Sequence, residues 1–366
     1  MMWLNDLVKN SNHKTPIISL TVRPKDGGKK DISQLISHRL ISLTLTDSRG
    51  FEADQLDLTL DDSDGLLDLP PRAAVLSLGF GWKSESIVYK GEYTVDEVEH
   101  SGSPDIVTIR ARSADMRGSL LEHKERSFHK KTIKKIVEQI AGENKLTPMV
   151  GKSFSNQIIE HIDQSGESSI NLLSRMAKEY DAIATVKNGN LLFIETGQGK
   201  TASGQVLPEI YITRNQGDQH RYAIAEGENY KAVRAYYHDI KTGKREQVYF
   251  DANTKIEKTR KSQKLKQTKP AITDSDNIKT IRHTYKSKQA AKNAVIREFK
   301  KLGRGTATFS LSLAQGNPEL MPELPVKVVG FKKEIDVNKW IIRQVTHNIS
   351  ADSGYTTGIE CELKGE

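Results

Sequence analysis

Residues 73–111 read AAVLSLGFGWKSESIVYKGEYTVDEVEHSGSPDIVTIRA, and residues 324–361 read LPVKVVGFKKEIDVNKWIIRQVTHNISADSGYTTGIEC. Each segment has a Pro-containing lead-in, an alternating strand and a Gly-Phe pair (Gly79-Phe80, Gly330-Phe331). A second strand then closes in Val-x-His (Val98/His100, Val345/His347), followed by a Ser/Gly turn and a last alternating strand. Alternation at a period of two marks strands with one buried face, and Gly/Ser/Pro clusters punctuate them. The matched punctuation predicts two related β domains in one chain. Duplication of this kind suits symmetry, because two copies in one chain can occupy equivalent places in a ring.

The front copy is preceded by further strand candidates at 16–24, 38–48 and 55–62. In the last of these, Leu56, Leu58 and Leu60 alternate with Asp57 and Thr59. Six short strands at this spacing predict a small antiparallel barrel or sandwich. The period changes near residue 128. Ile133, Ile136, Val137, Ile140 and Ala141 form one helical stripe, with Gly142 near its end. A second helix follows, capped by Ser168 or Ser169, with Leu172, Leu173, Met176, Ala177 and Tyr180 on its buried side. Asn188-Gly189 then signals a hairpin. Beyond it come a strand at 229–239, a basic segment and a helix at 287–303. The tail returns to strands.

The expected fold class is therefore α+β, mainly β. It has two small antiparallel β-barrel domains, an intervening α+β domain and a helix-containing insertion. The expected boundaries are 1–115 for the first, tube-like barrel and 116–205 for the α+β domain. The second barrel takes 206–250 plus 304–366, interrupted by the basic segment and helix at 251–303.

Composition limits function. The chain has 366 residues, 36% hydrophobic and 28% charged, as in an ordinary globular protein. No apolar run approaches the roughly 18–20 residues of a membrane span, so membrane insertion by the chain itself is not expected. The start, MMWLNDLVKNSNHK, lacks a signal-peptide core, and the single cysteine, Cys361, excludes an internal disulfide framework. Maturation in a reducing cytoplasm is expected. The formal charge of +8 is concentrated, because residues 251–302 hold 15 Lys/Arg against 5 Asp/Glu. That block raises nucleic acid as an alternative partner. The run KIEKTRKSQKLKQTKPAITDSDN lacks aromatics for stacking bases, so it reads first as a solvated segment.

His161, Asp163, Glu167 and Ser165, Ser168 and Ser169 fall within nine residues and have the types an active site needs. General acid–base work requires carboxylates converging on a cleft, however, and adjacency at a helix start does not supply that. Asp163 and Gln164 are expected to end a strand, and Glu167 and the serines to start the helix. His100 and His347 read as structural histidines, and the His123/His129 pair as solvated surface. Asp61-Asp62-Ser63-Asp64-Gly65 lacks the bidentate Glu of a calcium loop and reads as a polar turn. No nucleophile elbow, phosphate loop or zinc-protease motif occurs. Neither a catalytic residue nor a cofactor or metal site is expected.

Three stretches resemble the phage late-control gene D proteins, baseplate hubs of contractile-tailed phages and phage-tail-like bacteriocins, which share a fold with the phage Mu hub and the front part of type VI secretion spike proteins. One is 162–195, with Gln164, Glu167, Ser168 and Gly189. Another is YKAVRAYYHD with the later Gln-Ala-Ala at 289–291. The third is 316–363, with Gly316, Pro318, Gly330, Phe331, Trp340, Val345, His347, Gly354, Tyr355 and Thr357. The resemblance implies a non-enzymatic homotrimer in the virion baseplate, assembled in the host cytoplasm. Its expected partners are a tail tube protein, a central spike protein and other baseplate proteins, with at most weak, non-specific DNA contact. Six barrels from three chains would match a six-fold tube to a three-fold spike. A cell-wall hydrolase is the third reading, and every segment is already used by the hub fold.

Overall fold

The computed structural model describes residues 14–365 apart from 26, 114–118, 188, 225–229, 240–241, 252–254, 260–261 and 267–276. For 255–259 and 262–266 only the backbone is described. The expectations for the N-terminal segment, for Asn188 and for much of the basic stretch 255–269 thus lie outside the described residues.

The chain is mainly β, and among the described residues its main sheet has thirteen strands. The front part supplies β1 (Pro16–Arg23), β2 (Lys30–Asp31), α1 (Ser33–Arg39), β3 (Leu40–Ser48), β4 (Gln55–Asp61), β5 (Val75–Trp82), β6 (Val88–Ser101) and β7 (Ile106–Ser113). Leu56, Leu58 and Leu60 are buried as their alternation requires, and Leu56 and Leu58 pair across the sheet with Leu45 and Leu43. The rear part supplies β13 (Ile210–Thr213), β14 (Gly217–Ile224), β20 (Ala307–Leu313), β21 (Pro325–Val329), α6 (Lys333–Asp336), β22 (Trp340–Ser350) and β23 (Gly354–Leu363).

The front runs β3-β4-β7-β6-β5 and the rear β14-β20-β23-β22-β21, the same order with the same antiparallel sense at every step. The repeat extends to irregularities. β6 carries a bulge between Val95 and Glu97 against β7, and β22 carries one between Ile342 and Gln344 against β23. β3 is irregular between Leu40 and Ser42, and β14 between Gly217 and Gln219. Bulges are specific devices that bend a strand and re-aim its side chains. Ala73 and Glu323, just before β5 and β21, both have positive φ, +65° and +70°. Their N–H groups donate to Val95 O (3.0 Å) and Ile342 O (2.9 Å). Two bulges and a strained backbone position at matching sites are a stronger repeat signal than the shared letters.

Two details depart from the sequence reading. Register aligns Gly79 with Val329, so the two Gly-Phe pairs are offset by one residue. Gly79 lies within β5, where a Cβ would stand 2.9 Å from Ile87 Cγ2, whereas Gly330 makes a turn at φ +91° just past β21. The first strands also differ, because β1 is antiparallel to β5 while β13 is parallel to β21. Further, the halves share one sheet. β22 pairs with β3 over seven residue pairs, and Ile349 and Tyr355 of the rear join the front core.

Between the halves lie β8 (His123–Thr132), α2 (Ile133–Glu143), β9 (Thr147–Val150), α3 (Lys152–Ser155), β10 (Ile158–Ser168), α4 (Ser169–Tyr180), β11 (Ala182–Lys187) and β12 (Asn190–Glu195), with their own core. The two expected amphipathic stripes are buried there. Gly142 sits inside α2, whose last residue is Glu143. Ser168 caps α4, its Oγ accepting from Asn171 N at 3.2 Å.

The rear repeat is interrupted between β14 and β20. The insertion holds β15 (Ala232–His238), β16 (Arg245–Asp251), the hairpin β17 (Lys255–Thr259) and β18 (Ser262–Lys266), β19 (Ile278–Tyr285) and α5 (Lys288–Gly305). Val233, Ala235 and Tyr237 pack on α5 with Val248 and Phe250. The alternate residues Arg234, Tyr236, Arg245 and Tyr249 stack together on the opposite face.

Candidate assembly interface

Of the cluster suggested by sequence, only His161 and Asp163 meet, on the exposed ribbon β8–β10. His161 Nε2 lies 2.9 Å from Asp163 Oδ2, and the Ser127 hydroxyl donates to Asp163 Oδ1 at 2.5 Å. The carboxylate sits between serine and histidine, so the histidine is not placed to take the serine's proton. The Ser127 bond, helped by His161, also lowers the Asp163 pKa, the wrong direction for a general acid. Glu167 lies in the last part of β10 rather than in the helix, because the strand continues through a bulge after Gln164, and it pairs with Arg175. Gln164 is buried, accepting from Arg126 Nε at 2.7 Å and donating to Glu167 O at 2.9 Å. The Gln-x-x-Glu-Ser block thus joins ribbon to helix.

His123 and His129 are six residues apart on one strand, about 20 Å. His129 instead stacks on His161 at 4.6 Å between ring centroids. Only strand register could have revealed this pairing. His100 is exposed, 3.4 Å from Asp62 and 4.0 Å from Asp105. Asp61 and Asp64 bond the turn's own N–H groups, and Asp64 also pairs with Arg39. Among the described residues no group of three or more His, Cys, Asp or Glu is placed to hold a metal.

Further polar networks lie at the seams between the parts. Between front and rear, Trp82 Nε1 donates to Gly316 O at 3.0 Å and Lys90 Nζ to Pro318 O at 2.5 Å. A Cβ on Gly316 would stand 2.4 Å from Tyr355 Cε2, so this loop closes only with glycine. His347, fully buried, edges onto Phe80 at 5.1 Å. Its Nδ1 lies 3.0 Å from Tyr355 Oη and 3.1 Å from Thr357 Oγ1. Burial, with the nearby Lys90 charge, holds His347 well below its usual pKa and therefore neutral, while burial lowers Lys90 to about 8.

Between the front part and the central unit, Lys187 Nζ reaches Asp47 (2.5 Å) and Asp54 (2.8 Å). Burial, then the Asp47 charge, pushes Asp54 up to about 6 against the pull of Lys187. Folded Asp54 keeps its proton to about pH 6, whereas an unfolded aspartate releases it near pH 4. The stabilising contribution of this group therefore falls as pH rises through that window. Asp54→Asn should remove that slope. Measured by urea titration, the variant's stability relative to wild type should rise by about 1–3 kcal/mol between pH 4 and 6. A difference that stays flat would refute the raised value.

A third network meets all four cores. Arg49, after β3, lies 2.6 Å from Glu323 Oε1 and 2.5 Å from Glu362 Oε1. Arg304 of α5 pairs with Asp181 at the end of α4 and approaches Glu362 at 3.6 Å. Glu323 Oε2 also accepts from Gly197 N at 2.9 Å, and burial pushes its carboxyl up to about 7 against Arg49. Arg49, Asp181, Arg304 and Glu362 line a cleft of about 760 Å³. The network ties elements of the four cores to one another.

Residues 84–353 match the family model described as phage tail baseplate hub (GPD). The chain is 44% identical over 354 residues to the probable baseplate hub protein of Escherichia phage 186 (92% of this chain, 91% of that protein). It is equally identical over 353 residues to that of Escherichia phage P2, with the same coverage. The tail protein from Neisseria meningitidis MC58 has the same fold, with a TM-score of 0.65 at 12% identity, over 94% of this chain and 96% of that one.

Proposed function

The chain belongs to the phage tail baseplate hub (GPD) family, and from that premise we propose that three copies form a ring joining a six-fold tail tube to a three-fold spike. The observation that carries this reading is the repeat matched in strand order, bulges and positive-φ positions. Two near-equivalent modules per chain give six places in a trimer. The front strands β1–β7 and the rear strands β13, β14 and β20–β23 are the two modules, each curling into a barrel. The elements β8–β12 with their helices form the α+β domain, and β15–α5 form the insertion with the basic stretch, taking β15 and β16 out of the 206–250 piece expected for the second barrel. The tube protein meets the six-module face and the spike protein the three-fold one, with other baseplate proteins around them. The molecule's work is geometric adaptation within the virion, and no bond-making is assigned to it. Assembly takes place in the host cytoplasm.

Native mass measurement on purified protein and copy counting in tail particles test this, and three copies are expected. A chain that is monomeric at every concentration and present once or six times per particle overturns the reading. The Arg234–Tyr236–Arg245–Tyr249 face within the insertion favours a secondary, sequence-blind contact with passing DNA. Such binding should weaken steeply with salt.

A further inference from the structure

The seam inside the chain is a template for a seam between chains. β22 uses two edges. One pairs with β23, and along Gln344–Ser350 the other pairs with β3. Its counterpart β6 pairs with β7 along 93–101, but β5 covers only 88–94 of the opposite edge. Among the described residues, Glu97–Ser101 has no strand on that side. Among the described residues β14, the counterpart of β3, likewise pairs with β20 and has no strand on its other edge. The two edges that meet within the chain are thus both unpaired in their equivalents. Open edges of this kind are templates for strand addition.

We propose that β14 of one protomer adds to the Glu97–Ser101 edge of β6 in the next, repeating the β3–β22 seam between copies. This rests on the trimeric reading and gives it a contact surface. The shared bulges fix the register. Within the chain Val345, Thr346, His347 and Asn348 face Asp47, Thr46, Leu45 and Thr44. The equivalent pairs between chains are Val98 with Ile224, Glu99 with Ala223, His100 with Tyr222 and Ser101 with Arg221. Ile224, 61% exposed in the single chain, gains an apolar partner. Arg221 comes diagonally beside Glu99 on a strand that also carries Glu97, so the charges are complementary.

The loops agree. Inside the chain, the loop between β20 and β21 lies across Trp82 and Lys90 of the front module. Its counterpart is the loop between β4 and β5, which holds Leu66 and Leu69, 75% and 53% exposed. The counterpart of Lys90, counted back from the bulge, is Val337, 69% exposed and close in sequence to Val329, also exposed. The seam places these leucines of one copy over the valines of the next. It closes three chains head to tail.

Cysteines at 98 and 224 test it. Facing strand residues meet the Cα separation a disulfide needs. Within one chain these positions are separated by seven strand spacings, so a link must be intermolecular. The native Cys361 is buried and will not compete. Oxidised tail particles carrying Val98→Cys/Ile224→Cys should yield covalent dimers and trimers on non-reducing gels, lost with reductant and absent from either single variant. Ile224→Asp should melt like wild type, because the site is exposed, yet fail to enter particles. A three-copy hub that shows no such link and tolerates Ile224→Asp overturns the seam and leaves the trimer standing. A particle with another copy number overturns both.

Discussion

Trp340→Ala should lower the stability of the chain by about 3–5 kcal/mol, the usual cost of deleting a large buried aromatic that leaves a cavity. Trp340 is fully buried. Its ring lies 5.4 Å from Phe309 and 6.1 Å, edge-on, from Tyr222, and its Nε1 donates to Ile335 O at 3.1 Å. Alanine removes the contacts on β20 and β14 together, and the Ile335 carbonyl keeps only its backbone donors. Because β22 is shared with the front sheet through β3, the loss should appear as a lower midpoint for the whole transition. Urea denaturation followed by circular dichroism measures it. A change below about 1 kcal/mol would mean that the rear core is not organised around this ring.

Arg49→Met should cost a similar amount, about 3–5 kcal/mol at pH 7.5, because removing one partner of a buried ion pair leaves uncompensated charge. Arg49 faces two carboxylates, the buried Glu323 and the half-buried Glu362. The penalty should shrink as pH falls towards 5.5. Glu323 already ionises only near 7, held there by burial, and without Arg49 it takes up a proton more readily. Arg49→Lys should rescue little, since one ammonium cannot reproduce the fork that meets both acids. A loss independent of pH would place the cost in packing rather than charge.

Much of the β pattern was legible. Leu56, Leu58 and Leu60 announce a strand by alternation, and the Ile133–Ala141 stripe announces a helix by its period. The repeat was legible in its Val-x-His strands, because bulged strands re-aim side chains in a way that constrains sequence. Gly79 and Gly330 matched by coincidence of composition, each glycine being required for a different reason. The sequence could not show that the halves share one sheet. A β3–β22 pairing joins residues some 300 positions apart, and no local pattern encodes it. The seam residues Arg49, Lys90 and Lys187 were invisible for the same reason. A buried charge differs from a solvated one only in its partners, and those partners come from other parts of the chain. His161 and Asp163 attracted notice because their side chains are reactive types, yet they decorate an exposed ribbon.

The place of the insertion has its own consequence. The front module joins β3 to β4 through a short turn at 49–54, while at the corresponding corner the rear module carries everything from β15 to α5. Around the three-chain ring proposed above, small and bulky corners would therefore alternate. The rim on that side would present three projections at 120° to whatever docks there, although the strands beneath would repeat every 60°. A single chain can in this way read as one kind of symmetry to a neighbour that touches its strands and as another to a neighbour that touches its corners.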